Sequence, residues 1–175
     1  MSELALRYGS ALHSLALDLN KVELWQKEMK ELTKLLTENN EFLNLLNSEF
    51  LSIEERKQIV NNTIIFDDAE LNAFINIIID NNRVSKLLEI LEAFNSLCNQ
   101  TLGILEGVIF SVERLDESQI SSIETAIAKK EQVKIELKNV IDKSLIGGLK
   151  VFVNGHVYDD SIKYHLEKMK NSLRK

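Results

Sequence analysis

The stretch from Val133 to Leu166 constrains the fold of this chain more than any other. Val133, Ile135 and Leu137 alternate with Lys134, Glu136 and Lys138. A period of two predicts a strand with one dry face and one wet face. Asp142 and Lys143 turn the chain, and Gly147-Gly148 opens a second strand, Leu149 to Val153. Asn154-Gly155 is a hairpin signal, because a type I′ turn needs positive φ at both central residues. His156 to Tyr158 is the expected return strand. Asp159, Asp160 and Ser161 supply helix-starting oxygens, and Ile162, Leu166, Met169 and Leu173 follow at helical spacing.

Upstream of Gly103 the period changes from two to three and four. Leu4, Tyr8, Ala11, Leu12, Leu15 and Leu19 predict one face of a first helix, closed by Asn20 and Lys21. A second helix carries Val22, Trp25, Met29, Leu32, Leu35 and Leu36, ending at Asn39-Asn40. Phe42 to Leu46 form a short third. Ser52 and Glu55 are placed as a capping box, in which each side chain satisfies the other residue's backbone N–H, and they start a fourth helix. Asp67 or Asp68 caps a fifth, with Leu71, Phe74, Ile75, Ile77, Ile78 and Ile79. Asn81-Asn82 breaks it. A sixth carries Val84, Leu87, Leu88, Leu91, Phe94 and Cys98. Ile104 to Val112 is β-branched and reads as a strand. Asp116 to Gln119 is a second capping box, opening a helix with Ile120, Ile123, Ile127 and Ala128. The expected architecture is an N-terminal six-helix bundle over residues 1–104 and a smaller C-terminal α+β domain over 105–175.

Composition supports a packed protein and excludes several functions. Apolar residues make up 45% and proline is absent, which suits a mostly helical chain with a real core. Net charge is −6, unevenly spread: residues 1–104 carry −7 and residues 105–175 carry +1. An acidic N-terminal half repels phosphate backbones, so no nucleic-acid partner is expected, and it suits a partner segment bearing Lys or Arg. No apolar run approaches a membrane span, and the opening residues form neither a signal peptide nor a transit peptide. The chain is expected to be soluble and cytosolic, reaching a membrane only through a partner.

No catalytic or metal constellation is expected. His13, His156 and His165 lack a second His or Cys at metal spacing. Cys98 beside Leu97 reads as a small core residue. Gly147-Gly148 lies between strand signals with no helix following, so a close backbone approach is the better reading than a phosphate cradle. No Ser or Cys sits in a nucleophile elbow. Two features exceed ordinary packing. The fifth helix is apolar around much of its circumference, and the first mixes Ala5, Gly9, Ser10 and Ala11 with Leu4, Tyr8 and Leu12. Small residues permit close approach of another helix, either within the bundle or from a partner.

The C-terminal pattern resembles the signature of the delta subunits of F-type ATP synthases, relatives of the mitochondrial oligomycin-sensitivity-conferring protein. Its parts here are Ile135 and Leu137, Ile141-Asp142, Leu145, Gly147-Gly148, and Leu149 and Val151. Arg7-Tyr8-Gly9-Ser10-Ala11-Leu12 is similar to the family's opening motif. Asp80-Asn81-Asn82-Arg83-Val84 is similar to its mid-chain helix break. Three departures are Phe152 for a usual polar or basic residue, Asp160 for a Gly and Lys163 for an Arg.

The resemblance implies a non-catalytic stator subunit without cofactor. It implies a groove between the first and fifth helices that takes the N-terminal helix of a catalytic-head alpha subunit, a helix-in-groove mode. Tyr8, Ala11 and Ile77 come from the resemblance; Leu4, Leu12, Phe74 and Ile78 join them by helical spacing. It also implies that the C-terminal domain binds the b subunits of the peripheral stalk. The expected location is peripheral, on the cytoplasmic face of the bacterial plasma membrane. The alternatives are a generic cytosolic helical adaptor, or a small ligand-binding enzyme using the sheet over Gly147-Gly148.

Overall fold

A computed structural model describes residues 2–48 and 50–172. Leu173, expected on the last helix, lies outside them. By its internal contacts the chain divides into two compact units, Met1–Cys98 and Asn99–Lys175. The first contains α1 (Glu3–Asp18), α2 (Val22–Glu38), α3 (Asn40–Leu46), α4 (Ile53–Thr63), α5 (Ala69–Asp80), a 3-10 turn (Val84–Lys86) and most of α6 (Leu87–Leu102). The second contains β1 (Leu105–Ser111), α7 (Glu117–Glu131), β2 (Ile135–Ile141), a 3-10 turn (Lys143–Leu145), β3 (Leu149–Val153), β4 (His156–Asp159) and α8 (Ile162–Ser172). The fold is mixed α and β, with its helical part first.

Local chemistry explains the helix ends. Ser52 and Asp116 each form a reciprocal capping box, with Glu55 and Gln119. Three helices end in the same way, by a residue of positive φ and two backbone bonds folding back on the last turn. After α1, Asn20 (φ 54°) donates to Leu17 O and Lys21 to Ala16 O. After α5, Asn82 (φ 53°) donates to Ile79 O and Arg83 to Ile78 O. Gly103 plays this part after α6. Asn tolerates the left-handed region better than other side chains, which is why it serves where glycine is the usual choice.

The buried face of α1 differs from the expected one. Ala5, Gly9, Leu12 and Ala16 point inward, while Leu15 and Leu19 are exposed. The cause is α6. A Cβ built at Gly9 lies 2.9 Å from Ala93 Cβ and 2.9 Å from the Phe94 backbone N. Only small side chains let two helices approach so closely, so the small stripe, not the leucine stripe, faces the core. Trp25, Met29, Leu36, Leu46, Leu71, Ile78, Ile90, Leu91 and Phe94 fill the rest of that core.

Asp68 precedes α5 without bonding its backbone. Its carboxylate instead accepts from Trp25 Nε1 at 2.6 Å and pairs with Lys21. This ties the start of α5 to the start of α2. The Lys21 and Trp25 bonds hold the Asp68 carboxyl below the usual carboxylate range.

In the second unit the strand order is β2-β1-β3-β4. β1 and β2 are parallel, joined through α7; β3 is antiparallel to β1 and to β4. Ile127 of α7 packs on Ile109, Ile135, Leu137, Val151 and Val153, making the core on one sheet face. Asn154 (φ 50°) and Gly155 (φ 77°) make the tight hairpin. Val133 precedes β2 and is exposed, while the strand runs on to Ile141, past its expected end at Lys138. The buried amide of Asn99 donates to Glu106 and Glu136, at 2.9 and 2.8 Å, and so bridges two like charges paired across β1 and β2.

Gly147 and Gly148 are a close approach of backbone to backbone. Ile162 N–H donates to Gly147 O at 3.0 Å and Asp160 N–H to Leu149 O at 2.9 Å. Gly148 has φ 77°, and a Cβ there would lie 2.3 Å from Asp160 O. α8 begins at the buried Ser161, whose hydroxyl accepts the Tyr164 N–H, but none of its own residues is buried.

Candidate partner groove

A groove of about 570 Å³ opens beside α1 in the helical unit. Its α1 wall is Glu3, Leu4, Arg7, Tyr8 and Ala11; Asn81 and Arg83, just after α5, form its other end. Leu4 and Tyr8 are half-buried and Ala11 is exposed. They stand at i, i+4 and i+7, one face of a helix. That face is turned away from Gly9 and Ala16, which pack inward.

Each wall is fixed by its own bonds. Ser2 Oγ accepts the Ala5 N–H and its hydroxyl donates to Glu89 Oε2 at 2.9 Å, pinning the α1 start to α6. Bonds from Lys86 and Ser2 keep the Glu89 carboxyl below its usual range. At the far end, buried Arg56 donates to Asn82 Oδ1 at 2.7 Å and to Ser48 O at 2.8 Å. Asn81 Nδ2 donates to Ile77 O at 2.8 Å. The chain after α5 is therefore held by a buried guanidinium at Asn82, between the groove residues Asn81 and Arg83.

Of the expected site residues, the structure brings Leu4, Tyr8 and Ala11 together on the groove wall. Ile77 is on the surface of α5, 49% exposed, and does not line the groove. Leu12 and Ile78 are core residues at 1% and 0% exposure, and Phe74 is buried too. A partner resting on the surface cannot touch Leu12 or Ile78. Helical spacing placed them near the groove, and the packing of α1 on α6 turned Leu12 inward. Glu3, Arg7, Asn81 and Arg83 line the groove without having been chosen from sequence. Arg7 and Arg83 stood inside the two motifs, where they served as landmarks only.

The groove offers aliphatic and aromatic surface with charges of both signs at its rim, where Arg7 pairs with Glu3 at 3.5 Å. Elsewhere, Glu131 meets His156 Nδ1 at 2.7 Å and accepts the Tyr158 hydroxyl at 2.5 Å, and His165 Nε2 meets Asp160 at 2.7 Å. Cys98 is fully buried, and burial pushes its thiol up to about 12. Among the described residues no three His, Cys, Asp or Glu side chains are grouped to hold a metal ion. Among them, too, no helix is long and apolar enough to cross a membrane.

The family model described as ATP synthase delta (OSCP) subunit matches residues 4–173. The ATP synthase subunit delta of Lysinibacillus sphaericus is 32% identical over 173 residues, covering 98% of this chain and 97% of the relative. That of Mycoplasma mobile is 31% identical, covering 95% and 93%. A chain in the cryo-EM structure of the Toxoplasma gondii mitochondrial ATP synthase hexamer shares the fold with a TM-score of 0.70, at 17% identity and 99% coverage of each chain. The chain belongs to the ATP synthase delta (OSCP) subunit family. It is a structural, non-catalytic component of the peripheral stalk of F-type ATP synthase.

Proposed function

We propose that the helices of residues 1–104 act as one six-helix bundle that holds the catalytic head, and that residues 105–175 hold the b subunits of the stalk. In this reading the groove beside α1 receives the N-terminal helix of an alpha subunit. The observation that carries it is the placement of Leu4, Tyr8 and Ala11 on one open wall, with Asn81 and Arg83 at its end. The subunit then sits peripherally on the cytoplasmic face of the bacterial plasma membrane. Rotation of the central stalk exerts torque on the head. Without a static tether the head turns with the rotor, and ion flow no longer drives ATP formation.

Ala11→Asp tests the groove. Ala11 is exposed, so the unit folds with the substitution in place. The carboxylate is desolvated only when a partner covers it, at a cost of about 3–5 kcal/mol, more than a hundredfold in affinity. Calorimetric titration with the alpha N-terminal peptide is expected to lose its heat. Normal binding by the folded variant refutes the α1 side of the groove. Removing residues from Leu105 onward is expected to spare head binding, abolish stalk binding, and leave hydrolysis without proton pumping. Pumping by membranes carrying the truncated chain refutes the two-ended tether.

A further inference from the structure

A second groove in the helical unit lies along α2, and the buried Leu32 is among its lining residues. It has a volume of about 380 Å³ and runs between α2 and the segment of residues 63–67 that leads from α4 towards α5. Its α2 lining includes Leu24, Glu28, Glu31 and Leu35, at i, i+4, i+7 and i+11, with Lys27 and Leu32 beside them. These span about 16 Å, three turns of helix. Opposite stand Ile65, which is 78% exposed, and Asp67.

Apolar and acidic groups are arranged in order. Leu24, 50% exposed, is at one end and Leu35 at the other. Carboxylates occupy the middle. Glu28 Oε2 is buried with no hydrogen-bond partner in the chain. Burial raises its pKa, and the charges of Asp67, Asp68 and Glu31 raise it further; Lys27 opposes them. Lys27 itself reaches Glu31, at 4.0 Å, where both side chains are exposed. Asp68 is already committed to Lys21 and Trp25. The chain's own cations therefore leave the Glu28 oxygen without a bond. A buried carboxylate oxygen in that state costs free energy until a donor reaches it.

We propose that this groove is a second docking site, and that its occupant is a basic amphipathic helix of a partner subunit. Such a helix of about three turns presents one Lys or Arg at the centre of its apolar stripe, to Glu28, and apolar residues one to two turns to either side, to Leu24 and Leu35. The central cation gives the site its specificity, because it offers a donor to a carboxylate oxygen that the chain leaves without a bond. The site is separate from the groove beside α1 and shares no lining residue with it.

The test uses the full chain with Ile65→Cys as a surface reporter. Cys98, the only native cysteine, is buried with its thiol pushed up to about 12, so it stays silent to maleimide. Two helical peptides of fifteen residues are compared, identical except for Lys or Glu at the centre of the apolar stripe. The Lys peptide is expected to slow labelling of the reporter at least tenfold at saturation, and the Glu peptide to leave it unchanged. Glu28→Gln, which removes a charge that has no bond to lose, is expected to weaken the Lys peptide at least fivefold. In the assembled ATP synthase the reporter is expected to label at least tenfold more slowly than in the free chain. Equal protection by both peptides, no protection by either, indifference to Glu28→Gln, or equal rates in the free chain and the assembly would each overturn the proposal.

Discussion

Gly9→Ala sets two effects of known size against each other. In an exposed helix interior the change stabilises by about 1 kcal/mol, because glycine loses the most backbone freedom on folding. At Gly9 the added methyl arrives 2.9 Å from Ala93 Cβ, 2.9 Å from Phe94 N and 3.2 Å from Ala93 C. Carbon contacts are favourable at about 3.5–4.0 Å, so α1 and α6 must part by roughly 0.5–1 Å. None of these three atoms is at the end of a flexible side chain, so no rotamer change relieves the clash. Overpacking of this kind costs about 1–3 kcal/mol. Packing wins over propensity, and we predict a net loss of about 1–2 kcal/mol, lowering the melting temperature by about 4–12 °C for a unit of this size.

Trp25 is the only tryptophan and is fully buried in the first unit, so its fluorescence follows that unit alone during a melt. Ser10→Ala, one residue on and exposed, supplies the propensity control and is expected to hold or raise the melting temperature. A parting of α1 from α6 also displaces Tyr8 and Ala11, so under the proposed function affinity for the alpha peptide is expected to fall in step with stability. A Gly9→Ala chain that melts at or above the native temperature would show that the contact has room for a methyl and that the explanation given for the small-residue stripe is wrong.

Gly148→Ala is expected to destabilise the second unit by about 3–5 kcal/mol, since positive φ and a clash with the Asp160 carbonyl add. Gly147→Ala meets only the tip of Ile162 and is expected to cost under about 1 kcal/mol; equal losses in urea unfolding followed by circular dichroism would refute the distinction. The Asp68–Lys21 pair predicts a stability plateau with two edges. Asp68 is depressed, so its contribution is present above about pH 4 and is lost as the pH falls through its lower folded pKa; Lys21 is raised by the same bond, so its contribution is present below about pH 10 and is lost as the pH rises through its higher one. Asp68→Asn is expected to remove both edges from the Trp25 melting curve, and edges that persist in the variant would assign them to other groups.

Much of the fold was legible because its decisive signals are local. The capping boxes at Ser52 and Asp116, the Asn154-Gly155 hairpin and the breaks at Asn20 and Asn82 each act through bonds spanning a few residues. The Gly147-Gly148 approach was legible as a type of contact, though not as to what it approaches. The inward face of α1 was hidden, because it depends on Ala93 and Phe94, more than eighty positions away in sequence. Leucine spacing pointed to one stripe and the neighbouring helix selected another. The same cause turned Leu12 of the candidate site inward. Leu4, Tyr8 and Ala11 stand on the groove, Leu12, Phe74 and Ile78 belong to the core, and Ile77 is exposed on α5 outside the groove, so neither motif nor helical spacing sorted them by itself. The second groove left no trace in periodicity, since Glu28 and Glu31 read as ordinary solvent-facing charges on an amphipathic helix.

α8 has eleven residues and none of them is buried. A helix of that length is marginal in water when it stands by itself, and here the Ser161 cap and the His165–Asp160 pair are its local supports. Its apolar stripe of Ile162, Leu166 and Met169 faces water. A helix with no buried residue is expected to open more easily than the core and to be cut earlier by a protease. Covering the stripe with another chain removes that opening. Under the proposed function, in which residues 105–175 hold the stalk, a copy outside the complex is then expected to be cut faster than one built into it.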